Sequence, residues 1–196
     1  MKINESESSR RYPERAVVDT NVIVNVALGK DDTTDPSFLP RSERLLNDGI
    51  AGELELLLPS MVMIELSCNF VIRSGQSGQT RSRARDHKQR LIKWCYDCEL
   101  PMVDLTADAA GWFSETPAVQ NLRPGDAAIL ASAKYAHATH VYTWDDKFIR
   151  TVQQAREQGQ TDIIACNPPM LPPTQGELEL AGMMASTSSV NCGSFT

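Results

Sequence analysis

No apolar run in this sequence approaches the roughly 20 residues that a membrane span requires. The opening stretch, MKINESESSRRYPER, is polar throughout and lacks the apolar core of a secretory signal. The expectation is a soluble, cytoplasmic chain with no membrane partner. Cysteine is sparse and odd in number, five residues at 68, 95, 98, 166 and 192, three of them within apolar segments where a reduced thiol behaves as a small hydrophobe. A disulfide framework is not expected. Cys95 and Cys98 form a lone CxxC with neither a second pair nor a suitably spaced histidine to complete a zinc site, so both are read as helix residues beside a core. The three histidines, at 87, 137 and 140, share no metal-ligand spacing and are read as surface residues. Net positive charge is lacking too, and a formal charge of −6 argues against a uniformly electropositive nucleic-acid binder.

What is present is a 41% apolar chain of 196 residues, enough for one domain with a real core and some appendage. The charge is uneven. Seven basic residues between Arg73 and Lys93 (73, 81, 83, 85, 88, 90, 93) face one acid, Asp86, so this segment carries +6 and the remainder −12. An acidic body with one basic stretch differs from a uniformly acidic protein, because the stretch can attract phosphate that the body repels.

Residues 1–14 read as a loose polar arm, followed by a strand over 15–19 and a helix entered at Thr20 or Asn21. GKDDTTDPSFLP (29–40) is rich in turn formers and reads as a loop, with a helix over 41–51 and a short strand, ELELLLP, closed by Pro59. A helix starts at Ser60 and stops by Gly75, and a flexible Gly/Ser/Gln stretch leads to a basic helix over 83–98. LPMVDLT is a strand, ADAAGWFSET a helix, and PGDAAILASAKYAHA a second helix opened by Pro124 and Gly125. THVYTW is a strand, DDKFIRTVQQARE a helix and DIIAC a last strand. This alternation predicts an α/β layer fold with a mainly parallel sheet. The domain is expected over 15–172, with 173–196 a small, polar C-terminal tail.

Four carboxylates carry chemistry or local structure. Asp19 ends the first strand, where an Asx-turn or helix cap would also explain it. Glu65 lies in a helix with Met61, Ile64, Cys68 and Ile72 on neighbouring turns, so it is expected to be partly buried and to need a partner: an arginine, a proton or a cation. Asp126, after Pro124 and Gly125, and Asp145, after HVYT, both stand where caps are common. In an open α/β sheet, however, ligands bind at the carboxyl ends of the strands, where Asp19 and Asp145 both sit. If those strands were neighbours, carboxylates about 4 Å apart would repel by roughly 4 kcal/mol at an effective dielectric near 20. A divalent cation is the natural relief, and all-oxygen ligands favour Mg²⁺ or Mn²⁺.

VVDTNVIV, then PSMVMIELSCNF, then GDAAILASAKYAHATHVYTWDDKF, as an ordered set over about residues 15–170, resembles the PIN domain family of metal-dependent nucleases, which includes the toxins of VapBC toxin–antitoxin pairs. The resemblance implies a three-layer α/β/α fold whose first and fourth strands are adjacent, and a catalytic, metal-holding set of Asp19, Glu65, Asp126 and Asp145. Asn21 and Thr143 fall on polar positions that shape the site; Asp146 falls one past the fourth acid and is not assigned as a ligand. The implied activity is metal-dependent endoribonuclease action, with Mg²⁺ or Mn²⁺ as cofactor, RNA as substrate, a possible cognate antitoxin and a homodimeric state. A PIN nuclease of RNA processing and a non-cleaving RNA- or protein-binding module are the alternatives. Arg81, Arg83, Arg85 and Lys88 are the candidate RNA contacts, with a solvated helix face as the other explanation. Trp144 could stack on a base or pack within the fold.

Overall fold

The computed structural model describes residues 11–28, 35–68 and 81–172, with residues 28 and 81–87 described by their backbone alone. Five strands form one sheet: β1 (Arg15–Val18), β2 (Glu55–Pro59), β3 (Met102–Val103), β4 (His140–Tyr142) and β5 (Ile164–Cys166). Their order is β3-β2-β1-β4-β5 and every pairing is parallel. The seven α-helices described are α1 (Thr20–Leu28), α2 (Phe38–Ile50), α3 (Ser60–Cys68), α4 (Arg81–Asp97), α5 (Ala107–Ser114), α6 (Pro124–Tyr135) and α7 (Asp146–Glu157), with a 3-10 turn at Pro117–Val119.

The period-2 alternation of strand side chains sorts the core into two layers. Ala16, Val18, Leu56, Leu58 and Tyr142 point to one face, where Val22, Leu45, Val62 and Leu91 of α1 to α4 cover them. Val17, Leu57 and Val141 point to the other, against Ile129 and Leu130 of α6 and Phe148 and Val152 of α7. Both faces of the sheet are therefore apolar and covered, which is why β2 reads as a continuous run, ELLLP, rather than an alternating one. The arrangement is the three-layer α/β/α fold expected.

Several boundaries differ from expectation for physical reasons. Helix α2 begins at Phe38, three residues inside the expected loop, because Pro40 falls in its first turn, where no amide hydrogen is required. The strand expected from LPMVDLT is paired only at Met102–Val103. Helix α3 is described as far as Cys68, so the rest of its expected length lies outside the described residues. Tyr12, in the expected polar arm, is buried and donates to Asp48 Oδ2 at 2.9 Å. Residues 1–10 and the tail from 173 lie outside the described residues.

Cys95 and Cys98 are buried in the α4 core layer, and Cys98 Sγ donates to the Cys95 carbonyl at 3.3 Å. Burial pushes the Cys95 thiol up to about 12, as the core reading requires. His137 is exposed, but His140 is half-buried at the start of β4 and its pKa is lowered by burial and then by Arg156, so it is not a plain surface residue. The ring of His87 lies outside the described side chains.

Candidate active site

The carboxyl ends of β1 and β4 lie side by side. Val17 pairs with Val141 and Val18 with Tyr142, and the Asp19 amide extends the ladder to the Tyr142 carbonyl at 3.0 Å. The register therefore brings Asp19 level with Thr143, the residue after β4. The two residues meet: Thr143 Oγ1 donates to Asp19 Oδ2 at 2.5 Å. Asn21 bridges them, its Nδ2 donating to Asp19 Oδ2 at 2.7 Å and to Thr143 Oγ1 at 2.9 Å while its Oδ1 accepts from the Trp144 amide at 2.9 Å. Thr143 Oγ1 also accepts from the Asp145 amide at 3.0 Å. Asn21 and Thr143 thus both bond the Asp19 carboxylate. Thr143 is 0% and Asp19 4% exposed, so this corner is withdrawn from water.

The other acids surround it. Glu65, half-buried on α3, accepts a hydrogen bond from Thr20 Oγ1, the first residue of α1. Asp126 stands in the first turn of α6, where the helix dipole favours an anion. Asp145 is a true N-cap of α7, its Oδ1 accepting from the amides of Lys147 at 2.7 Å and Phe148 at 3.0 Å. While capping the helix, it also acts by its charge on Asp126.

The electrostatics join all four. Burial raises the Asp19 carboxyl to about 7, with the charges of Glu65 and Asp126 adding to the rise and the Thr143 hydrogen bond opposing it. Asp126 is raised by burial, then by Asp145 and Glu65, and is relieved in part by Arg123. Four carboxylates from four different elements therefore share one field with little opposing positive charge. Among the described residues, no three His, Cys, Asp or Glu side chains stand in an arrangement that would hold a metal ion without adjustment. Two of the carboxylates are turned toward hydroxyl donors, Thr143 for Asp19 and Thr20 for Glu65, which lessens their mutual repulsion. In donor chemistry the set fits a hard divalent cation: oxygen ligands only, half-buried and under-compensated.

Lys88, on α4, reaches the Ser67 carbonyl of α3 at 3.5 Å, while the side chains of Arg81, Arg83 and Arg85 lie outside those described. Trp144 packs within the fold: its ring stacks on Phe38 at 3.9 Å, Arg41 lies over it, and its Nε1 donates to Ser42 at 2.9 Å. Asp146 is exposed. Thr20 is not identifiable from sequence as a partner of Glu65, because a threonine at that position is equally a helix starter. Its place beside Asp19 in DTN was the available signal.

The PIN domain family model matches residues 16–153. Among solved structures, one titled "Structure of FitAB bound to IR36 DNA fragment" is similar, with a TM-score of 0.53 and 15% identity over 82% of this chain and 99% of that one. At that identity the likeness concerns the fold. No curated protein matches the sequence.

Proposed function

The chain belongs to the PIN domain family, and we propose that it is a divalent-metal-dependent endoribonuclease. PIN domains are in general nucleases. The observation that carries the proposal is the convergence of Asp19, Glu65, Asp126 and Asp145 at the β1–β4 end, where burial raises the Asp19 carboxyl to about 7 with the charges of Glu65 and Asp126 adding to the rise, and Asp126 is raised by burial and by Asp145 and Glu65. A scaffold that only bound RNA would gain nothing from such repulsion and would lose affinity for phosphate.

Asp19, Glu65, Asp126 and Asp145 would hold the cation. Bound there, Mg²⁺ or Mn²⁺ would supply Lewis-acid activation of water and neutralise charge building on the phosphate. The protein's own residues do the rest. Asn21 and Thr143 fix the Asp19 carboxylate by two side-chain hydrogen bonds, so that it is oriented before substrate arrives. The Asp145 cap ties a site carboxylate to the rigid start of α7. The strand is drawn in by the basic segment that includes Arg81, Arg83, Arg85 and Lys88, since the acidic corner itself repels it.

The finer reading is the toxin half of a toxin–antitoxin pair, acting as a homodimer. It rests on the sequence likeness to VapBC toxins. Purified protein incubated with total RNA should cleave in Mg²⁺ or Mn²⁺ and stop in EDTA. Asp19→Asn and Asp126→Asn should each lose cleavage by about 100-fold or more, the scale on which single charge-stabilising groups act. Full activity in both variants would remove the assignment. Growth arrest on expressing wild type, absent with Asp19→Asn, would mark the toxin role; growth unaffected by either would favour an RNA-processing nuclease.

A further inference from the structure

The Glu65 carboxylate has one oxygen held by a known donor and the other in a space that only glycine leaves open. Oε2 accepts from Thr20. Oε1 lies 1.8 Å from where a Cβ on Gly125 would be, and the Glu65 carboxyl carbon 3.0 Å from it. No side chain can share that space. Gly125 is the second residue of α6, directly before Asp126, and α3 packs on α6. The residue has no need of glycine for its backbone, because it lies within a regular helix where glycine is less favourable than alanine. Gly111, within α5, is the contrast: a Cβ there would meet nothing within 4 Å.

We propose that Gly125 is a positioning residue for the site: with Thr20 it forms a two-point seat that fixes the Glu65 carboxylate between the start of α1 and the start of α6. The atom displaced by a Cβ is the far end of a flexible side chain, so alanine at 125 leaves the fold intact and moves the carboxylate. Pro124, at the first position of α6, fixes the backbone there, so the helix start does not turn away to make room for a Cβ. This inference rests on the reading of the four acids as a metal-holding site.

The test is a cycle of Gly125→Ala and Glu65→Ala, singly and together, with Gly111→Ala as the helix reference, all in the full chain. In EDTA, Gly111→Ala should raise the melting midpoint. Gly125→Ala should lower it or leave it unchanged when Glu65 is present, and raise it as Gly111→Ala does once Glu65 is alanine. An equal rise in both backgrounds would show that nothing occupies the space and would overturn the seat. Mn²⁺ titration of the folded proteins then reads the positioning role: Gly125→Ala should weaken Mn²⁺ binding by about tenfold or more, and Mn²⁺ binding equal to wild type would overturn that role. If wild type binds no Mn²⁺, the metal-site reading fails, and the metal-free cycle still decides the seat. Should Gly125→Ala not fold alone, recovery of folding in the double variant supports the seat, and no recovery overturns it.

Discussion

Two corners of one acidic site are held by opposite means. At the β1–β4 corner, Asp19 stands at a strand end, 4% exposed, with its carboxylate bonded by Asn21 and Thr143. At the α3–α6 corner, Glu65 reaches in from a helix, half-buried, with one hydroxyl partner and a neighbour that lacks a side chain. The first is fixed by sheet register, which cannot slip without moving the whole core. The second is held by packing between helices, in a space that a single methyl group on Gly125 would have to share with the carboxylate. A site built from both has a rigid part and an adjustable part, and experiments on the two should differ in kind.

The largest effect expected concerns the rigid corner. A rise of the Asp19 carboxyl from 3.8 to about 7 corresponds to roughly 4 kcal/mol between its protonation states. Because the folded state holds this proton more tightly than the unfolded chain, the contribution of Asp19 to the stability of the metal-free protein should be greatest near pH 4 and be lost as pH rises toward 7. Asp126, raised as well, acts in the same direction, whereas Asp162, lowered by Lys134, acts in the opposite one. The wild-type minus Asp19→Asn difference isolates Asp19, since asparagine can still accept from Asn21 and Thr143. Denaturant melts at pH 4, 5.5 and 7 in EDTA should show the variant gaining on wild type as pH rises, and added Mn²⁺ should close the gap in wild type only. Parallel profiles would mean that Asp19 carries no such burden.

Thr143 sharpens the comparison from the other side of the same corner. Thr143→Val keeps the shape but removes an oxygen that donates to Asp19 and accepts from Asn21 and the Asp145 amide. The buried groups left unpaired should cost about 1–3 kcal/mol. The lost hydrogen bond, which holds the Asp19 carboxyl down, should also move the pH-dependent fall to higher pH. A variant as stable as wild type, with its pH profile unmoved, would show that the corner is not fixed by Thr143.

How far the sequence revealed this arrangement follows the same division. The alternation of strands and helices was legible because each carries its own period and punctuation; Asp19, Asp126 and Asp145 lay beside recognisable strand ends or helix starts, and Glu65 stood out as a carboxylate within an apolar helix. The adjacency of β1 and β4 was not, because no local pattern encodes which strands pair; it came from family resemblance. Thr20 and Glu65 are separated by 45 positions, and their contact arises only when α1 and α3 pack on the same face of the sheet. Pro40 misled the boundary of α2 because proline both ends loops and opens helices.

Trp144 gives the smallest effect and separates scaffold from substrate contact. Its ring lies nearly parallel to Phe38, and its Nε1 donates to the fully buried Ser42 hydroxyl, so the side chain joins α2 to the end of β4. Its main-chain amide, by contrast, serves the site by donating to Asn21. Trp144→Phe removes the first role and keeps the second. The variant should lose about 1 kcal/mol, or some 2–4 °C in melting midpoint for a domain of this size. RNA affinity and cleavage should stay as in wild type, because the Asn21–Thr143–Asp19 network is untouched. A base stacked on the indole would instead register as a loss of roughly 1–3 kcal/mol in RNA binding by the stable variant, and that result would transfer Trp144 from the scaffold to the substrate surface.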